Sequence, residues 1–226
     1  MIDRLVSYFE PFPLLLALVP LIGYLSLMGL IRVSGNTLIT SGARDIAALG
    51  LAISGLVAVG PAELFFPMAA ATAFGPFVWI VLIIFYALCV TLVAMTAKPK
   101  LVAYGRTAEE MYPLLLTAAQ QIDADAVGDD EQMQVELPGA KVHLLAFSHP
   151  GIDFTYITSL EPNTSVTFWN LLLSNLRTQV ASTPKTSPRQ GYGMLLIAVG
   201  LASILLWQGL DKQTLVVEGF RDWLWR

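Results

Sequence analysis

Charge is scarce in this chain of 226 residues: 13% are Asp, Glu, Lys or Arg, against about 25% in an average soluble domain. With 55% hydrophobic residues and a mean hydropathy of +0.65, that deficit excludes one water-soluble globular domain and also a disordered chain. Cysteine is nearly missing. Cys89 stands alone, so no internal disulfide framework and no multi-cysteine metal site exists. Two histidines, His143 and His149, leave little material for a histidine-rich metal centre. Basic charge is not in excess: the net charge is −4 and the pI about 5.1, so there is no global basic surface, and nucleic acid is not an expected partner. Signature loops are absent too. No glycine-rich loop ends in Gly-Lys-Ser/Thr, no Gly-x-Ser-x-Gly occurs, and Gly191-x-Gly193 opens an apolar run instead of following a strand. No cofactor is expected.

What is there is apolar sequence in long runs. A helix needs roughly 20 mostly apolar residues to cross a bilayer. Residues 13–31 carry no charge and end at Arg32; residues 77–97 are uncharged and end at Lys98-Pro99-Lys100; residues 191–210 are uncharged and end at Asp211-Lys212. A weaker run follows Arg44-Asp45. It is read as one span over 46–66, kinked at Pro61, or as a shorter span to Gly60 followed by an interfacial helix. The first run, with Pro13 and Pro20 inside and no small-x-small site after it, reads as an uncleaved span and not a signal peptide. The expected fold class is therefore membrane α-helical, with about four transmembrane helices and one cytoplasmic α+β domain inserted between helices 3 and 4. The parts are 1–97 (helices 1–3), 98–181 (domain), 182–190 (linker), 191–210 (helix 4) and 211–226, an amphipathic or disordered outer tail with Trp223 and Trp225.

Four spans place both termini on one side. The loop 32–45 and the segment 98–190 then share the other, and they hold nine Lys and Arg (Arg32, Arg44, Lys98, Lys100, Arg106, Lys141, Arg177, Lys185, Arg189) against four opposite (Arg4, Lys212, Arg221, Arg226). By the positive-inside rule the inserted segment is cytoplasmic and both termini are outside.

Inside the insert the spacing predicts a strand over 101–104. A helix follows, carrying Met111, Leu115, Ala118 and Ile122 on one face, with Thr107 and Glu110 as a capping box. Pro113 fits poorly inside that helix, so a start near Tyr112-Pro113 is the alternative. Strands are expected at Met133–Leu137, Val142–Phe147 and Ile152–Leu160. A second helix, started at Glu161-Pro162-Asn163-Thr164, bears the stripe Val166, Trp169, Leu173, Leu176 and Val180. The order is β-α-β-β-β-α.

Chemistry-bearing patterns are few. Asp123-x-Asp125-x-Val127-Gly128 matches positions 1, 3 and 6 of a calcium loop. Val127 and Gln134 fail positions 5 and 12, so the run reads as a solvated helix-to-strand connection. His143 and His149 read as ordinary strand and turn residues. Ser148 and His149 are adjacent, which is not triad geometry. Glu63, beside Pro61, is the one acidic candidate in or near the hydrocarbon region. It is expected at the outer interface, with a proton or substrate carboxylate in a transport or channel component as the alternative. Ala47, Gly50, Ser54 and Ala58 share a small face, open to packing within one monomer or between subunits; Ala198 and Ala202 form a weaker one. No metal ligand or catalytic residue is assigned.

The runs Asp45–Leu49, Gly60–Pro67, Phe74–Trp79 and Pro99–Tyr104 are similar to uncharacterised multi-pass membrane proteins of planctomycete-type bacteria. The resemblance implies a bacterial cytoplasmic membrane and no particular activity. The functional expectation is a non-enzymatic anchor whose partners are the lipid bilayer and another protein or further copies of itself. A transport component and a membrane-bound enzyme are the alternatives.

Overall fold

The computed structural model describes residues 11–60, 75, 77–149, 153–162, 164–184 and 191–224, with the backbone alone for 222–224. The chain divides into two compact units. One comprises Met1–Leu27, Ala47–Val93 and Met194–Arg226; the other comprises Met28–Ile46 and Ala94–Gly193.

Four helices are long and apolar enough to cross a membrane: α1 (Pro11–Val33), α2 (Gly42–Val59), α3 (Phe77–Thr96) and α6 (Gly191–Asp211). At most 22% of the apolar window of any of them is buried, so their flanks are free to meet lipid. In the helical unit, close approach depends on glycine. A Cβ at Gly55 would collide with the Leu16 carbonyl, and one at Gly50 would lie 2.8 Å from Val90. The Tyr86 hydroxyl donates to the Gly50 carbonyl at 2.6 Å. Gly50 thus spends its missing side chain on packing inside the monomer, whereas Ala47 stays exposed. The tail is helical: α7 (Gln213–Leu224) leaves Leu215, Val217 and Phe220 exposed, and Phe12 meets Phe220 edge-on at 5.6 Å.

The second unit is a six-stranded, wholly antiparallel sheet, β1 (Leu38–Ser41), β2 (Lys100–Tyr104), β3 (Val127–Asp129), β4 (Gln134–Leu137), β5 (Val142–Ser148) and β6 (Phe154–Ser159), in the order β1-β2-β6-β5-β4-β3. Helices α4 (Ala108–Gln120) and α5 (Val166–Ser182) lie on one face. Alternation decides that face. Val142, Leu144 and Ala146 of β5 are buried while His143 and Leu145 are half-buried and Phe147 is exposed, and Ile157 and Thr155 of β6 point to the same core. Met111, Leu115, Ala118 and Ala119 of α4 and Trp169, Leu172, Leu173 and Leu176 of α5 complete it.

Several expectations are corrected. The insert holds four strands after α4's predecessor β2, not three, because β3 forms inside the acidic run and pairs with β4 through Gly128↔Val135. A sixth strand comes from outside the insert: Leu38–Ser41, between the first two apolar helices, pairs with β2 (Leu38↔Tyr104, Ser41↔Leu101). Helix α4 runs straight through Pro113. Its start is held by the Thr107–Glu110 capping box, so the later start is wrong. Helix α5 begins after Ser165, whose hydroxyl accepts from the Phe168 amide at 3.2 Å, and not at Glu161. Val166 is 73% exposed, so the buried stripe starts at Trp169 and includes Leu172. Met133 lies before β4 with φ +52°, outside the strand. Helix α2 starts at Gly42, ahead of Arg44-Asp45, since an acidic first turn suits the positive end of a helix. Whether it continues to Phe66 concerns residues outside those described.

Candidate functional site

Burying an arginine takes a strongly hydrated ion out of water, so it persists only where fixed partners replace that water. Two arginines, Arg32 and Arg106, are buried in the sheet unit, with the fully buried Thr155 beside them. Around them lies a polar junction where strands meet the ends of the apolar helices.

Arg32 sits in the last turn of α1, where the helix dipole favours a cation. Its Nη1 is 3.3 Å from Oδ1 of Asp153, just ahead of β6, and both side chains are largely sequestered (8% and 14% exposed). The same guanidinium lies 5.7 Å over the Tyr104 ring. Its Nε has no hydrogen-bond partner among the described residues. Tyr104, the last residue of β2, turns its hydroxyl to Asp45 in the first turn of α2, donating to Oδ1 at 2.5 Å. A Cβ at Gly42 would lie 2.6 Å from Cγ of Lys100, so the first turn of α2 packs directly on β2.

Arg106 follows the tight turn at Gly105, whose φ of +92° suits glycine and whose amide donates to the Asp153 carbonyl at 2.8 Å. Arg106 Nε donates to Thr37 Oγ1 at 2.9 Å and Nη2 to the Pro184 carbonyl at 3.0 Å; its own carbonyl accepts from Thr155 Oγ1 at 2.8 Å. Burial pushes its guanidinium pKa down, partly offset by Glu110. On the inner side, Arg177 of α5 directs Nε and Nη2 to the Ile39 carbonyl of β1, at 3.2 and 2.9 Å. That contact satisfies an acceptor at a sheet edge. The junction therefore links β1, β2, β6 and α5 to the ends of α1 and α2.

A second cluster surrounds His143, near the start of the interior strand β5. Glu161 accepts from the His143 amide at 2.8 Å through Oε2 and meets Nδ1 at 2.6 Å through Oε1. Ser159 Oγ donates to Oε2 at 2.8 Å, and Thr164 Oγ1 donates to Ser159 Oγ at 2.9 Å. Glu136 stands 3.4 Å from Nε2. Desolvation works to raise the Glu161 pKa, but the hydrogen bonds from His143 and Ser159 outweigh it and hold the carboxyl at about 2. The same hydrogen bond to Glu161 leads in raising the His143 pKa, against a desolvation that lowers it. A hydrolytic relay needs a hydroxyl on the imidazole. Here the hydroxyl sits on the carboxylate, so the group bridges β5 to the chain leaving β6. Beside it, Lys98, Pro99, Ser159, Leu160, Glu161, Pro162, Thr164 and Trp169 line a small cleft of about 120 Å³.

The residues singled out in the sequence are distributed differently. Glu63 and Pro61 lie outside the described residues. Asp123 accepts from the Gly139 amide at 2.6 Å and from the Asp125 amide at 3.2 Å, and Asp129 accepts from the Glu131 and Gln132 amides; these carboxylates cap turns. No group of three or more His, Cys, Asp or Glu suited to a metal occurs among the described residues. Ser148 accepts from the Ala108 amide at 3.2 Å, and His149 is exposed at the end of β5. Sequence reasoning counted Arg32 and Arg106 only as topology signals and did not single out Tyr104, Asp153 or Asp45. The available hint was Arg32 and Asp45, opposite charges bracketing a short polar loop. No family model, curated protein or solved structure matches this chain.

Proposed function

We propose that this chain is a multi-pass protein of a bacterial cytoplasmic membrane that acts as an anchor, presenting its α+β domain to a protein partner or to further copies of itself. The supporting observation is the buried junction. Arg32–Asp153 and Tyr104–Asp45 tie the sheet to the last turn of one apolar helix and the first turn of another. A domain tethered only by a linker has no need of such ties; a domain that must keep a set orientation at a membrane surface does. The excess of Lys and Arg in 32–45 and 98–190 supports placing the sheet in the cytoplasm with both termini outside. A reporter active only in the cytoplasm, fused to the C-terminus, stays dark on this reading; strong activity there overturns the orientation. Purification in a gentle detergent with mass determination tests the role. A partner or an oligomer is the expected outcome, and a clean monomer refutes it.

A further inference from the structure

The sheet face opposite α4 and α5 is only partly covered. Val102 and Tyr104 on it are buried; Arg32 and Asp45 of the helix ends meet Tyr104, and Gly42 packs on Lys100. The rest of the face carries an aromatic ladder. Tyr104 and Phe154 pair across strands at 4.8 Å, Phe154 meets Tyr156 edge-on at 4.3 Å, and Tyr156 pairs with Phe147 at 5.2 Å. Phe147, at the open end, is 39% exposed. Lys100 holds its ammonium 4.4 Å over the Tyr156 ring.

We propose that this ladder rests on the phospholipid headgroup zone on the side of the membrane where the spans end. Three observations commit it to lipid. The ends of two apolar helices pack on this face, at Arg32 and at Gly42–Asp45. Strand β1 ends at Ser41 with α2 starting at Gly42, and β2, which carries Tyr104 of the ladder, starts four residues after α3 ends at Thr96, so the chain passes from these apolar helices directly into the sheet. The composition also fits: tyrosine and phenylalanine beside Lys100, with Lys98 and Arg44 in the adjoining turns, is an amphipathic aromatic and cationic set suited to the interface with anionic lipid. Two acidic groups, Glu136 and Asp129, lie on β4 and β3, the strands farthest from the helix ends, and His143 stands between Glu136 and Glu161; at the helix ends, Asp45 is engaged by Tyr104 and Asp153 by Arg32.

The inference rests on the membrane reading above, not on the anchor role. The full chain, in a Cys89→Ser background, receives Phe147→Cys, Thr158→Cys on the same face, or Thr178→Cys on the exposed side of α5. Each variant is labelled with bimane and reconstituted into phosphatidylcholine–phosphatidylglycerol nanodiscs. Headgroup-nitroxide lipid should quench positions 147 and 158 severalfold more than position 178, while aqueous iodide shows the reverse order. Equal quenching of all three by either agent overturns the proposal. Protection of 147 and 158 from both agents also overturns it, and assigns the face to a second copy or a protein partner. Resistance of the unlabelled chain to alkaline carbonate extraction reports the spanning reading separately, so the two failures are distinguishable.

Discussion

Removing one half of the Arg32–Asp153 pair should be among the costliest single changes in the sheet unit. At 3.3 Å and an effective dielectric of about 20, the attraction is about 5 kcal/mol. Neither side chain is more than 14% exposed, so water cannot replace a lost partner. Arg32→Met strands the Asp153 carboxylate, and Asp153→Asn leaves Arg32 with only the Tyr104 ring among the described residues; each should lose about 3–5 kcal/mol. The double variant Arg32→Met/Asp153→Leu removes both charges and should recover much of that loss, because a matched apolar pair carries no desolvation cost. Thermal unfolding of the full chain in a mild detergent, followed by near-ultraviolet circular dichroism, reads the cycle. At about 2–4 °C per kcal/mol for a chain of this size, each single variant should melt on the order of 10 °C lower. If both single variants melt within about 2 °C of the parent, or if the double variant loses the sum of the two, the pair is not the buried link described here.

Four further outcomes follow from the geometry. Trp169→Ala in the full chain should cost about 3–5 kcal/mol, because the ring is 6% exposed in the core; an unchanged melting temperature contradicts the packing. The His143–Glu161 bridge sets a pH window: the raised His143 pKa gives stability that is complete below about 6.5 and is lost as pH rises through the folded value, whereas the depressed Glu161 pKa gives stability that is complete above its usual value of 4.5 and is lost as pH falls toward about 2. Urea unfolding from pH 3 to 9 should therefore show His143→Asn flattening the alkaline decline, and an identical profile in the variant refutes the bridge. Gly55→Ala forces a methyl against the Leu16 carbonyl and should destabilise the chain by about 1–3 kcal/mol, measured as a lower melting temperature in detergent. Calcium should leave the melting temperature of the parent unchanged, as it should that of Asp123→Asn/Asp125→Asn; a calcium-dependent rise lost in the variant restores a cation site.

The apolar helices were legible because an uncharged run of that length has few other uses. Boundaries were less so: Arg44 and Asp45 look like the end of a loop, yet they form the first turn of α2. The amphipathic helices α4 and α5 announced themselves through their spacing, although Val166 shows that an apolar residue in register can still face solvent. The hidden strands share one physical cause. Leu38–Ser41 buries only Ile39, and Val127–Asp129 buries nothing, so neither carries the alternation that marks a half-buried strand. They exist because a neighbour offers an unpaired edge. The junction was invisible for a similar reason: Arg32, Asp45, Tyr104 and Asp153 are brought together by the sheet and bear no local signature. The His143–Glu161 bridge lay in residues already read as a strand and a helix start, and only the backbone trace brings them into contact.

The pairing of β1 with β2 has a consequence for biogenesis. Leu38–Ser41 leaves the ribosome before α2 and α3, and Lys100–Tyr104 leaves it immediately after them. In a bilayer the two strands reach the same side only when both intervening helices have crossed. If one crossing fails, β1 and β2 are stranded on opposite sides, and β2 keeps a bare edge open to any other strand. Arg177 then has no Ile39 carbonyl to hold, and the Ile39 position in the core stays empty. On the membrane reading proposed above, completion of the sheet would therefore require both helices to have crossed, and a failed crossing would leave the β2 edge unpaired.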